Sequence, residues 1–201
     1  MFWGASLNTR QERNNDMDLT EYTLFSGGAR GAESVFGTQA EHAGIKEINF
    51  TFEGHQVTRH RGLHTLTPEE LSRGDVSLEY VAKLMNRRYT DSPTIRLILQ
   101  TIWHQIISGQ EIFVVGEILD DLTVKGGTGW GAEFAKLCNK PLYVFDHKSM
   151  IWHKWNRMHW DQLSGADEPR ITDAHFTGTG TRFLTKEGTE AIELLFDRSF
   201  A

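Results

Sequence analysis

The 201-residue sequence has a single cysteine, Cys138. One thiol cannot close an internal disulfide, which suits a reducing compartment, and the cytoplasm is the expected location. Cys138 follows Leu137 in a predicted helix, so it is expected to be a buried, inert thiol. Basic residues are the minority: 21 Lys and Arg against 27 Asp and Glu leave a formal charge of −6. That balance argues against a broad surface for duplex nucleic acid, where affinity rests on many contacts to phosphate. It leaves room for a small anion, which loop amides and one or two arginines can hold locally. No apolar run approaches the roughly 20 residues that cross a bilayer, so no membrane partner is expected. Residues 1–20, with Arg10, Glu12, Arg13 and Asp16, lack the apolar stretch of a signal peptide and read as a polar lead-in.

Several motifs are also missing. No stretch fits the P-loop, which needs Gly-Lys followed by Ser or Thr after a longer loop, and none fits Gly-x-Gly-x-x-Gly well. ATP hydrolysis and NAD-dependent hydride transfer are therefore poor matches. There is no His-Glu-x-x-His and no cysteine pair, and His55, His60 and His64 are irregularly spaced, so no metal is expected.

What remains is a regular alternation, with 39% hydrophobic and 24% charged residues as in an ordinary globular chain. Short β-like runs occur at Tyr22–Phe25, Glu47–Phe52, Ile112–Val115, Pro141–Phe145 and Ala174–Phe176. Helix-like stretches separate or follow them at Ala32–Ala43, Ser77–Met85, Thr94–Ile107, Trp130–Leu137 and Lys186–Phe196. The runs are continuously apolar rather than alternating, as in strands covered on both faces. The pattern predicts an α/β fold, Rossmann-like and three-layer α/β/α, with a mainly parallel sheet of about five or more strands. Residues 21–201 are read as one domain with excursions at 53–76 and 147–170. The first carries Arg59 and Arg61 and ends at a cap-like Thr67-Pro68-Glu69-Glu70; the second holds Trp152, Trp155 and Trp160.

Three glycine-rich stretches are read as turns between a strand and a helix. The first is Ser26-Gly27-Gly28-Ala29-Arg30-Gly31-Ala32-Glu33. Its glycines bring bare amides close to an anion at a helix N-terminus, Arg30 adds a donor fork, and Glu33 either caps the helix or binds a ribose hydroxyl. The second is Lys125-Gly126-Gly127-Thr128-Gly129-Trp130-Gly131-Ala132-Glu133, with Glu133 expected in the first helical turn. The third is Thr177-Gly178-Thr179-Gly180-Thr181-Arg182. In a parallel sheet such turns share one edge, where ligands bind outside the carboxyl ends of the strands. Asp146, at the end of its strand, is expected at the same crevice.

At these residues the chain resembles the SLOG superfamily, the Rossmannoid group that includes LOG-type phosphoribohydrolases, YpsA- and YspA-like proteins and molybdenum-cofactor carrier proteins. Residues 26–33 are similar to the first SLOG loop, with Glu33 where Asp is common. Residues 126–133, followed by Lys140-Pro141-Leu142-Tyr143-Val144-Phe145-Asp146, are similar to the second loop and next strand of the carrier-like members. The second loop also resembles the LOG motif Pro-Gly-Gly-x-Gly-Thr-x-x-Glu, with Lys125 in place of the Pro and Trp130 in place of the Thr. The resemblance spans most of residues 22–196. It implies a catalytic role for Glu133, with Arg88 or Arg96 as the arginine partner.

Arg96, Gln100 and His104 recur every four residues on one helix face, either lining the crevice or facing solvent. The three tryptophans either pack a hairpin or stack on a heterocycle. Together these readings give a site for a phosphorylated nucleotide or nucleotide-like ligand. The site is built from Ser26, Gly27, Gly28, Arg30, Gly31, Glu33, Gly126, Gly127, Thr128, Gly129, Trp130, Asp146, Gly178, Thr179, Gly180, Thr181 and Arg182. Cleavage of an N-glycosidic bond by Glu133 and Arg96 is one outcome. A non-catalytic carrier of a molybdopterin-type ligand, or a sensor of a nucleotide signal, is the alternative. By analogy with the superfamily, a homo-oligomer is expected.

Overall fold

The computed structural model describes residues 18–200, and the lead-in expected before residue 18 lies outside them. The chain is an α/β protein with one mixed sheet of eight strands. In chain order the elements are β1 (Thr23–Ser26), α1 (Ala32–His42), β2 (Lys46–Thr51), β3 (Leu63–Thr65), α2 (Pro68–Ser72), α3 (Asp75–Leu84), α4 (Pro93–Ser108) and β4 (Glu111–Gly116). They continue with α5 (Thr128–Leu137), β5 (Leu142–Asp146), β6 (Ile151–Trp155), β7 (Trp160–Leu163), β8 (His175–Gly180) and α6 (Lys186–Phe200).

The sheet order is β3-β2-β1-β8-β4-β5-β6-β7. The six strands from β3 to β5 pair in parallel, and the β6–β7 hairpin extends the sheet antiparallel beyond β5. From β1 the chain crosses through α1 to β2 on one side, and from β4 it crosses through α5 to β5 on the other. The direction of winding therefore reverses between β1 and β4, and the last strand, β8, is inserted there.

Strand β4 is buried throughout, as its continuous apolar run requires. Its side chains alternate between two apolar clusters. Ile112 and Val114 join Leu78, Val81, Leu99, Ile106 and Phe134 from α3, α4 and α5. Phe113 and Val115 join Phe36, Phe176, Ile192 and Leu195, with α1 and α6. A strand shows successive residues to opposite faces, so each face of β4 has its own core.

The excursion after β2 is built, not open. Thr67 accepts from the Glu70 amide at 3.2 Å while the Glu70 carboxylate accepts from the Thr67 amide at 2.9 Å, a reciprocal cap that starts α2 with Pro68 in its first turn. Two expectations change. Residues 177–180 are the last four residues of β8, not a turn. Gly178 lies inside the sheet because the Phe36 ring of α1 packs where its Cβ would stand. Helix α5 begins at Thr128, two residues before the expected start at Trp130.

Candidate functional site

A cleft of about 590 Å³ opens at the carboxyl ends of the strands, where the winding reverses. Its position is the one that the strand order of an open α/β sheet favours for a ligand, and its volume suits a small molecule.

The cleft has a carboxylate in its lining. Glu33, in the first turn of α1, is buried, and its Oε1 accepts from the Thr179 hydroxyl at 2.8 Å. Its Oε2 accepts from the Ala29 amide at 2.9 Å, so the first loop spends that amide on its own helix's carboxylate. Burial pushes the Glu33 carboxyl above its ordinary range, against the pull of these two bonds, the Gln105 amide and the Arg182 charge. Gln105 from α4 is itself buried, with its Oε1 lacking any partner among the described residues.

The second loop forms the opposite wall. Gly126, Gly127 and Thr128 face the cleft at the start of α5, which has no side-chain cap at Gly127; the Trp130 amide donates to the Gly127 carbonyl, and the Thr128 and Gly129 amides remain available to an anion. Lys125 stands beside them, paired with Glu117 at 2.7 Å but largely exposed. Ile98 and Ile102 of α4 make the apolar side. His55 and His147 lie at the rim, and burial lowers the pKa of both, with the Arg182 charge adding to the effect on His55. His55 stacks on Phe52 with centroids 4.5 Å apart. The corner after β8 contributes Gly180, Thr181, Arg182 and Phe183.

The expected residues divide accordingly. Glu33, Gly126, Gly127, Thr128, Thr179, Gly180, Thr181 and Arg182 meet in the cleft. The others serve the frame. Ser26 donates to the Gly178 carbonyl at 2.7 Å within the sheet. Gly27 leaves space for Glu33 and Gln105, and the Gly28 carbonyl accepts from Thr58 and Arg59. Gly31, at a φ of 97°, packs on the backbone of Thr181 and Arg182. Arg30 is exposed and outside the cleft lining. Gly129 abuts the Val124 carbonyl, and Trp130 is buried against Tyr89.

Four chemically prominent candidates, Asp146 among them, lie outside the cleft lining. Glu133 falls in the second turn of α5 because that helix starts early, and it pairs with Lys136 at 2.6 Å away from the cleft lining. Arg96 pairs with Asp75 at 2.7 Å and lies over Tyr89, where with Gln100 it ties α4 to α3. Arg88 pairs with Asp91 on the surface. Asp146 accepts from the Ile118 amide and from Ser149 at 2.8–2.9 Å. Burial alone would raise its carboxyl, but these bonds hold it below its ordinary range.

The tryptophans are packing residues. Trp152 is buried against Phe113 and Phe145, while Trp155 and Trp160 flank the Lys136 ammonium at 4.0 and 4.9 Å. Among the described residues no group of three or more His, Cys, Asp or Glu is placed to hold a metal ion, and no helix is long and apolar enough to cross a membrane.

Sequence reasoning did not single out Gln105, His147 or Phe183. Gln105 had a signal: with Thr101 it forms a polar pair four residues apart, inside the apolar face of α4. Comparison with protein-family models, with curated proteins and with solved structures finds no match to this chain.

Proposed function

We propose that the cleft binds a phosphorylated nucleotide or nucleotide-like ligand. The observation that carries this reading is the uncapped start of α5: Gly126, Gly127 and Thr128 open directly onto a roomy cleft at the point where the sheet's winding reverses. Amides at a helix N-terminus and the dipole behind them favour negative charge. Arg182 adds a positive charge on the same cleft, and Lys125 a second one that it shares with Glu117, a carboxylate of the same lining. The phosphate belongs at this wall rather than at α1, where Glu33 already occupies the Ala29 amide and would repel it.

The reading is set in a three-layer, Rossmann-like frame, supported by the two apolar clusters on alternating residues of β4. The SLOG resemblance of residues 26–33 and 126–133 points the same way, as does a lone thiol toward the cytoplasm.

Two outcomes follow for the ligand. If an N-glycosidic bond is cleaved, the acid–base group is Glu33, since it is the buried carboxylate in the cleft and Glu133 is not there. If the protein is a carrier or sensor, the same contacts hold an intact ligand. Incubation with nucleoside monophosphates, followed by chromatography, separates them. Free base and ribose 5-phosphate establish cleavage, and unchanged ligand that raises the melting temperature establishes binding alone.

A further inference from the structure

Phe183 is 88% exposed, the most exposed of the large apolar side chains described, and it lies on the cleft lining. A phenyl ring left in water forgoes the stabilisation of burial. Such exposure is unremarkable on a floppy loop, but the backbone just before Phe183 is anchored to two elements. The Thr181 amide donates to the Val115 carbonyl of β4 at 2.9 Å, and the Thr181 carbonyl accepts from the Ala32 amide of α1 at 3.1 Å. The Phe183 amide donates to the Thr181 hydroxyl at 3.1 Å. Gly31 lies so close to Thr181 and Arg182 that a side chain there would collide with their backbone. The fold therefore fixes the main chain that leads into Phe183, whose ring stays exposed at the cleft with Arg182 just before it in sequence.

From this arrangement we infer that Phe183 is the stacking platform for the planar heterocycle of the ligand, and that it selects base-bearing phosphates over sugar phosphates. The inference rests on the phosphate-binding reading of the cleft. It orients the ligand: phosphate on the Gly126–Thr128 wall, ring on Phe183 with the apolar side chains Ile98 and Ile102 of the same cleft as its other neighbours. An aromatic face recognises a ring through its π-surface and tolerates different bases. The device sets ligand class, not base identity.

The test is isothermal titration of the full chain, wild type, F183A and F183W, with the four common ribonucleoside monophosphates and with ribose 5-phosphate. Because Phe183 is exposed, F183A is expected to melt within a few degrees of wild type. The expected result is that wild type binds at least one nucleoside monophosphate more tightly than ribose 5-phosphate. F183A should lose about tenfold of that affinity, leave ribose 5-phosphate unchanged, and be rescued by F183W. Equal affinity of wild type for both kinds of ligand overturns the stacking inference while leaving phosphate binding intact. So does an F183A variant that keeps the preference, or one that weakens both ligands equally. Failure of every probe to bind overturns the phosphate-binding reading as well.

Discussion

The Thr179 hydroxyl donates to Glu33 Oε1 at 2.8 Å, joining the central strand β8 to the first turn of α1 across the floor of the cleft. Through this bond a residue from near the end of the chain fixes the carboxylate of a helix near its beginning. Glu33 is held by the sheet, by the Ala29 amide and by Gln105, so its position is set before any ligand arrives.

Burial of Glu33 makes a pH dependence. Its folded-state pKa lies above the ordinary 4.5 of the unfolded chain. As pH rises through the window that opens at that value, the unfolded chain releases the proton first, so folding stability falls across the window and stays lower above it. The neutral amide of Glu33→Gln does not titrate. The melting-temperature difference, variant minus wild type, should therefore grow in the variant's favour as pH rises above the ordinary value of 4.5. A constant difference across that range would remove the buried-carboxylate account.

Arg59 anchors the segment after β2 by pairing with Glu47, whose side chain is fully buried, and with the half-exposed Glu41. Arg59→Ala leaves the buried Glu47 carboxylate without a countercharge, with only the Asn49 amide donating to it, and should destabilise the protein by about 3–5 kcal/mol in urea unfolding. Glu41→Ala removes only the surface partner and should cost no more than about 1 kcal/mol. Equal costs would show that Glu47 is not the anchor.

The glycines of the two loops should behave oppositely on substitution. Gly31→Ala forces a left-handed φ of 97° and a collision with the Thr181 carbonyl, so a loss above about 1–3 kcal/mol is expected. Gly127 has a helical φ of −64°, and nothing stands within 4 Å of its added Cβ. Gly127→Ala should leave stability unchanged or raise it by about 0.4–1 kcal/mol. Thermal unfolding of the two variants side by side makes the comparison.

Glu133 and Glu33 follow similar glycine loops, and only one of them reaches the cleft. Glu133→Gln keeps an acceptor for Lys136 but removes the charge opposite its ammonium, and should cost about 1–3 kcal/mol, with affinity for a nucleoside monophosphate unchanged. A loss of binding in a variant that still folds would return Glu133 to the site.

Much of this architecture was legible in the sequence. The continuous apolar runs marked β1, β2, β4, β5 and the start of β8, and the helical periodicities marked α1 and α3 to α6. The Gly-Thr alternation of 177–180 looked like a turn, because glycine is depleted in strands, whereas the tight packing of Phe36 on Gly178 is a tertiary fact. The expected place of Glu133 in the first helical turn failed on the helix start. A start two residues earlier moves that carboxylate from the first turn to the second, where it pairs with Lys136 three residues on. Gln105 and Phe183 reach the cleft only through long-range packing, on α4 and on the corner after β8, which no local pattern specifies.

The most direct test of the central claim is calorimetric titration of the natively purified chain with ribose 5-phosphate and the ribonucleoside monophosphates, beside a Lys125→Ala, Arg182→Ala double variant. The account predicts saturable one-site binding by wild type and at least a tenfold loss in the double variant, with the fold retained. No heat and no thermal stabilisation with any of these ligands would contradict it and leave the open start of α5 a purely structural turn.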